Sequence, residues 1–258
     1  FIQTIKIAFT AIMTHKSRAA LTILGIVVGV TSIIVIVSVG NGATTLITGE
    51  IASLGADIIW IEPGREPEGP TDFASAALSN TLKDKDIDAL LDKNNAPGIL
   101  EIAPSVVVPG SMSYEGETYR PLIQGFSGEF MGRVFNIYPE EGEYFDADAI
   151  RNKELVVVIG ARVREELIGE SEAVGKTVKI DNKAFRVVGV LPDKGQLFFI
   201  DIVNFAIVPY STARTYLLGT DYYNEVWVRV ANSNTINQTV QDIERTLRER
   251  HGIANPEK

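Results

Sequence analysis

The chain has 258 residues, with 24 Lys and Arg against 33 Asp and Glu, and a net charge of −9. That acidity repels phosphate and argues against nucleic acid as a partner. The lack of cysteine excludes disulfides, and a chain of this length buries a sufficient core without them.

The first feature along the chain is amphipathic. Ile2, Ile5, Phe9, Ile12 and Met13 recur at helical spacing, while Gln3, Thr4, Lys6 and Thr10 fall mostly elsewhere. This pattern predicts a helix over 1–18 lying on the cytoplasmic membrane surface, in contact with lipid. Residues 19–39 then form an uncharged run of 21, of which thirteen are Leu, Ile or Val. As a helix the run is about 31 Å long, close to the ~30 Å hydrocarbon thickness of a bilayer. Its branched aliphatics favour insertion by about 4 to 8 kcal/mol. A cleaved signal has a shorter apolar region, roughly 7 to 15 residues, and no use for an amphipathic approach helix. A transmembrane helix is therefore expected over 19–39.

Charge sets its direction. Lys6, His15, Lys16 and Arg18 precede the span, and the first charge after it is Glu50. Residues 1–45 carry +3, and the remainder, 21 basic against 33 acidic, carries −12. An excess of Lys and Arg marks the cytoplasmic side, with Lys16 and Arg18 as the charge anchor. The N-terminus is thus expected in the cytoplasm, and about 210 residues outside it. Within the span, Gly25 and Gly29 form a small-xxx-small motif that lets another helix approach closely in lipid.

Beyond the span, Leu46, Ile47, Ile51 and Leu54 keep a partial apolar stripe, predicting a stalk helix over 40–55. A strand is expected at 57–62, then a turn-rich stretch at 63–70. Thr81 and Asp84 have capping-box spacing and predict a helix over 81–93. Strands are expected at 99–108, interrupted by Pro104, and at 119–126 and 154–159, with a short helix at 161–167. The turn Asp181-Asn182-Lys183 joins strands at 177–180 and 185–191. A strand at 205–208, a helix at 211–218, a strand at 224–230 and a long helix at 235–250 complete the chain. Strands and helices interspersed at irregular lengths indicate an α+β outer domain on one N-terminal transmembrane helix. Two subdomains are expected: 56–109 with 204–258 pairs strands with amphipathic helices, and 110–203 is strand-rich.

Catalytic chemistry finds no support in the pattern. Gly169 to Lys176-Thr177 resembles a phosphate-binding loop, but five residues separate its glycines and a strand, not a helix, is expected after it. His15 and His251 lie near opposite ends of the chain, and His251 sits where a helix C-terminus favours positive charge. Glu140, Glu141, Glu143, Asp146 and Asp148 lack the spacing of a recognised calcium loop. No catalytic, metal-ligating or cofactor-binding residue is assigned, and no cofactor is expected.

The order of features carries a resemblance. Thr14 to Ala19 leads into Leu21-Thr-Ile-Leu-Gly-Ile-Val-Val-Gly-Val30, then Gly40-Asn-Gly-Ala43, Ile51-Ala-Ser-Leu-Gly-Ala56 and Trp60-Ile-Glu-Pro-Gly64. Later come Val156-Val-Val-Ile-Gly160, Val174-Gly-Lys-Thr-Val178, Phe185-Arg-Val-Val-Gly-Val-Leu191 and Ile207-Val-Pro-Tyr-Ser-Thr-Ala213. Together these resemble the N-terminal half of MacB-type (FtsX-like) ABC transporter permeases. The resemblance implies four spanning helices, with a large extracytoplasmic domain between the first and second. It implies a non-catalytic permease working with an ABC ATPase subunit or domain, a second permease copy and a periplasmic adaptor. ATP-driven closure would pass through helices and stalk to the outer domain, driving export or extraction of substrate by mechanotransmission. The porter-like subdomain would be 56–109 with 204–258, and the distal one 110–203. The resemblance places the chain in the inner or plasma membrane, with its main domain periplasmic or extracellular. No second apolar run of 18 or more follows Val39, so the expectation is a fragment of such a permease or a one-span protein. A single-pass anchored binding module is the second reading.

Overall fold

The computed structural model describes residues 14, 16–53, 57–64, 81–193, 196–197 and 200–253. The surface helix expected over 1–18 therefore lies almost wholly outside the described residues, as does Leu54. The chain divides into two compact units, 1–53 and 54–258.

In the first unit, helix α1 (Lys16–Ser53) runs unbroken for 38 residues. It carries through Gly40-Asn41-Gly42, although each mid-helix glycine costs about 1 kcal/mol relative to alanine. The part Lys16–Ala43 is long and apolar enough to cross a membrane. Its large apolar side chains, Leu21 to Val39, are all exposed within the chain.

The second unit opens with β1 (Ile58–Ile61) and β2 (Leu82–Lys83), then α2 (Asp84–Leu91). Strand β3 (Ile99–Val108) leads to β4 (Met112–Tyr114), β5 (Glu117–Tyr119) and β6 (Leu122–Phe126). Next come α3 (Gly128–Phe135), β7 (Glu141–Gly142), α4 (Ala147–Asn152), β8 (Val156–Ile159) and α5 (Ala161–Ile168). The chain continues through β9 (Thr177–Ile180), β10 (Lys183–Val190), β11 (Gln196–Leu197), β12 (Ile200–Asp201) and β13 (Phe205–Pro209). A helical turn, Tyr210–Thr212, widens into a π-helix at Ala213–Leu218. Last come β14 (Tyr222–Tyr223), β15 (Glu225–Val230) and α6 (Ile236–His251).

Eleven strands form one mixed sheet in the order β1-β15-β3-β6-β13-β8-β10-β9-β4-β5, with β7 beside β10. The β6–β13 and β8–β10 pairs are parallel, and the other pairs along the path are antiparallel. Because β13 lies between β6 and β8, the boundaries expected at 109/110 and 203/204 fall within one continuous sheet.

Alternation of side chains gives the sheet two apolar faces. Val226 and Val228 of β15, Val157 and Ile159 of β8, and Ala206 and Val208 of β13 join one core with Leu90 of α2, Val163 of α5 and Ile243 of α6. Trp227, Val156, Val158, Phe205 and Ile207 join the other, with Phe130 and Phe135 of α3 and Ala149 of α4. Strands such as Val-Val-Val-Ile are apolar throughout because both faces are covered.

Two expectations need correction. Pro104 does not interrupt β3, which is continuous over Ile99–Val108. The Ser105 carbonyl accepts the Asn224 amide on the β15 side, so Pro104 turns its missing donor the other way. There β6 pairing begins only at Val106, and no ladder bond is lost. Likewise, α2 starts at Asp84 rather than Thr81, and Asp86 accepts the Lys83 amide at 2.9 Å. The turn at 181–183 holds: Asp181 and Asn182 take φ of 44° and 68°, the conformation of a tight hairpin turn.

Candidate functional site

The first turn of α2 carries two carboxylates, at a helix end where negative charge is favoured. Each reaches a different part of the outer domain. Asp84 receives Arg214 Nη1 at 2.5 Å and Nη2 at 3.2 Å, and the Tyr223 hydroxyl donates to it at 2.6 Å. The Arg214 guanidinium also lies 4.3 Å over the Tyr223 ring, and Tyr210 meets that ring edge-on at 5.9 Å. Asp86 receives Arg250 Nε at 2.7 Å and lies 3.2 Å from His251 Nε2, besides holding the Lys83 amide. Arg250 and His251 are the last residues of α6, which Gly252 ends in the left-handed conformation at φ 66°.

Local sequence explains how these groups meet. The π-helix, wider than an α-helix because its hydrogen bonds run i→i+5, carries Arg214, whose side chain is only 12% exposed. Gly125 lets that turn settle on the sheet. A Cβ there would lie 2.6 Å from both the Ala213 Cβ and the Val106 Cγ2. Similarly, a Cβ on Gly98 would lie 2.1 Å from the Thr239 Oγ1, so glycine admits α6 against the end of β3. Thr239, Ile243 and Thr246 form its buried side, and Arg245 donates to the Asn95 carbonyl at 3.2 Å.

Electrostatics follow the geometry. The Arg214 hydrogen bonds hold the Asp84 carboxyl below its ordinary value. For Asp86, burial pushes upward, but the bonds from Arg250 and the Lys83 amide, with the His251 and Arg250 charges, outweigh it and the carboxyl stays low. Burial and the bond to Asp84 push the Tyr223 hydroxyl up, so it remains a donor. The Asp86 side chain is 4% exposed and Arg250 34% exposed, so the pair is partly screened by solvent at its arginine end. Lys83 and Asp221 add an exposed pair at 2.8 Å, worth little. The physical effect of the arrangement is to clasp α6, α2 and the sheet-bound π-helix together.

The residues singled out in the sequence lie elsewhere. Lys16 and Arg18 are exposed on the first turn of α1. Gly25 and Gly29 leave open surface, since a Cβ built on either meets nothing within 4 Å. Leu46, Ile47 and Ile51 fall in α1, continuous with the span. Gly169 ends α5, and Thr177 opens β9 directly after Gly175 and Lys176, so that stretch is a turn entering a strand. In the acidic stretch, Glu141 pairs with Arg164 at 2.8 Å, Asp146 caps α4 through the Ala149 amide and Asp148 pairs with Arg151. Sequence reasoning missed Asp86, Arg214, Tyr223 and Arg250. The only visible signal was acid in the first turn of one helix and base in the last turn of another.

Comparison with known proteins gives consistent results. The model of the MacB-like periplasmic core domain family matches residues 19–246. Two curated relatives are macrolide export ATP-binding/permease proteins MacB, from Chlorobium luteolum and a Shewanella species. They are 31% and 32% identical to this chain over 98% of it, and the chain spans 38% of the length of each. The periplasmic region of MacB from Actinobacillus actinomycetemcomitans has a TM-score of 0.68 at 20% identity, covering 80% of this chain and 89% of that one. The extracellular domain of the noncanonic ABC-type transporter YknZ from Gram-positive bacteria has a TM-score of 0.59 at 22% identity, covering 76% and 94%. Both of these likenesses concern the fold.

Proposed function

The chain belongs to the MacB-like periplasmic core domain family of ABC transporter permeases, and from that premise we propose that it couples cytoplasmic ATP hydrolysis to movement of its outer domain. One observation carries the reading. A 28-residue part of α1, with its large apolar side chains exposed, is followed in the same chain by a packed domain with two cores of its own. A water-soluble protein covers such a helix; a permease leaves it for lipid and neighbouring spans.

In this reading Lys16 and Arg18 hold the N-terminus in the cytoplasm, and the outer domain lies between the first and second spans. Gly25 and Gly29 admit another spanning helix, and the part of α1 containing Leu46, Ile47 and Ile51 is stalk. Two permease copies work with an ABC ATPase, and a periplasmic adaptor meets the outer domain. ATP-driven closure moves the outer domains and drives export or extraction of cargo. The curated relatives are named for macrolide export, so macrolides are the first compounds to test.

Purifying the complete permease from its native membrane tests the reading. The expected result is an ATP-hydrolysing subunit or domain recovered with it, and a turnover that changes when the outer domain is cross-linked between copies. Recovery of a lone chain that binds a small solute and stimulates no ATPase would instead favour a single-pass anchored binding module.

A further inference from the structure

Resting on that reading, we infer that the α6–α2 clasp is the point through which the outer domain is moved, with Arg250 as its positioning residue. If the domain sits between two spans, force enters along elements that flank its sheet, and α6 is the last described element of the second unit. A helix docked only by apolar contacts can slide or peel when loaded from its end. Here the terminal turn of α6 is fixed by Arg250 and His251 to one buried carboxylate, Asp86. That carboxylate is built into the first turn of α2 through the Lys83 amide. Two residues earlier in the same first turn, Asp84 holds Arg214 of the π-helix, which Gly125 seats directly on the middle of the sheet. A displacement of the α6 terminus therefore reaches the sheet through two charge-assisted contacts joined by the first turn of α2. Asp86 is buried, and withdrawing a partner from a buried carboxylate is costly, as a transmission joint requires. The contact partners lie 130 and 164 residues apart in the chain, so nothing local to either helix needs them for its own formation.

The complete permease with its ATPase, in lipid nanodiscs, provides the test. Lys183, exposed at the start of β10 and free of ion pairs among the described residues, is replaced by Cys, the only thiol in these residues, and spin-labelled. The distance between labels on the two copies is measured with and without ATP. We expect an ATP-dependent shift in the parent, and loss of at least about fivefold of the shifted population in Arg250→Gln while ATP hydrolysis persists. Arg250→Lys, which keeps the charge, recovers part of the shift and controls for misfolding. A purely structural role would lower the melting temperature without altering the ATP dependence. An undiminished shift in Arg250→Gln overturns the clasp as joint while leaving the proposed function standing; no shift in the parent overturns both.

Discussion

Trp60 stacks on Trp227 with ring centroids 5.4 Å apart and planes 19° apart, tying the edge strand β1 to β15. Phe126 and Phe135 approach Trp227 edge-on at 6.2 and 5.5 Å, so one indole organises the aromatic side of the sheet. The two tryptophans differ in what they support: Trp60 is 55% exposed and Trp227 is 6% exposed. Trp227→Ala should lower unfolding stability by about 3 to 5 kcal/mol. Trp60→Ala should cost about 0.5 to 1.5 kcal/mol. Urea unfolding followed by circular dichroism checks both, and equal losses would contradict the assignment of Trp227 as the core member.

The clasp makes stability depend on acidity. Asp84 and Asp86 both titrate below their ordinary values in the folded chain. A carboxylate with a depressed folded pKa contributes stability above its unfolded value, near 4, and loses it as pH falls through the folded value. Unfolding free energy should therefore hold between pH 7 and about 5 and fall below about 4. In Asp86→Asn, which keeps an acceptor for the Lys83 amide, that acid-side decline should be shallower. An unchanged slope between the two proteins counts against the ion pairs as its source. Asp84, at 65% exposure, should matter less than Asp86.

Gly125 reports on the seat of the π-helix. Gly125→Ala puts a methyl where Ala213, Val106 and the Tyr210 backbone already crowd, and should cost about 1 to 3 kcal/mol. Thermal melting is the measurement. Gly116→Ala, where a Cβ would meet nothing within 4 Å but φ is 103°, provides the comparison for strain without crowding.

In the membrane unit the expected effect is on assembly, not on folding. Gly29→Leu fills the open surface left at that turn and should reduce co-purification of the partner permease copy by about fivefold, matching roughly 1 kcal/mol of helix packing. The outer domain should melt as before, because it is a separate compact unit. A fall in its melting temperature would show that the substitution acts elsewhere.

Much of this architecture was legible because its causes are local. The run without charge at 19–39 gave the exposed apolar helix, and Asp181-Asn182 gave the hairpin through two residues tolerant of positive φ. Val156–Ile159 read as a strand since no polar residue interrupts it. The misreadings have equally specific causes. Pro104 reads as a break in the sequence because sequence does not tell which side of a strand has a neighbour. The start of α2 differs because Thr81 to Asp84 and Lys83 to Asp86 share one spacing, and the Lys83 amide bonds Asp86 at the observed helix start. Of the clasp, only the charges at two helix ends were legible. Asp84 with Arg214, and Asp86 with Arg250, meet through the sheet topology, which joins segments from both ends of the domain. The π-helix, which carries Arg214, has no pattern in Ala213–Leu218 that distinguishes it from an ordinary amphipathic turn.

The central claim is that one helix crosses the membrane with its charged end inside the cell and the sheet domain outside. A single cysteine at Lys183 in the complete permease, treated with a membrane-impermeant maleimide in intact spheroplasts, examines that claim most directly. The account predicts full labelling there, with a cysteine at Thr14 protected until the membrane is opened. Labelling of Thr14→Cys in sealed spheroplasts, with Lys183→Cys protected, would contradict it.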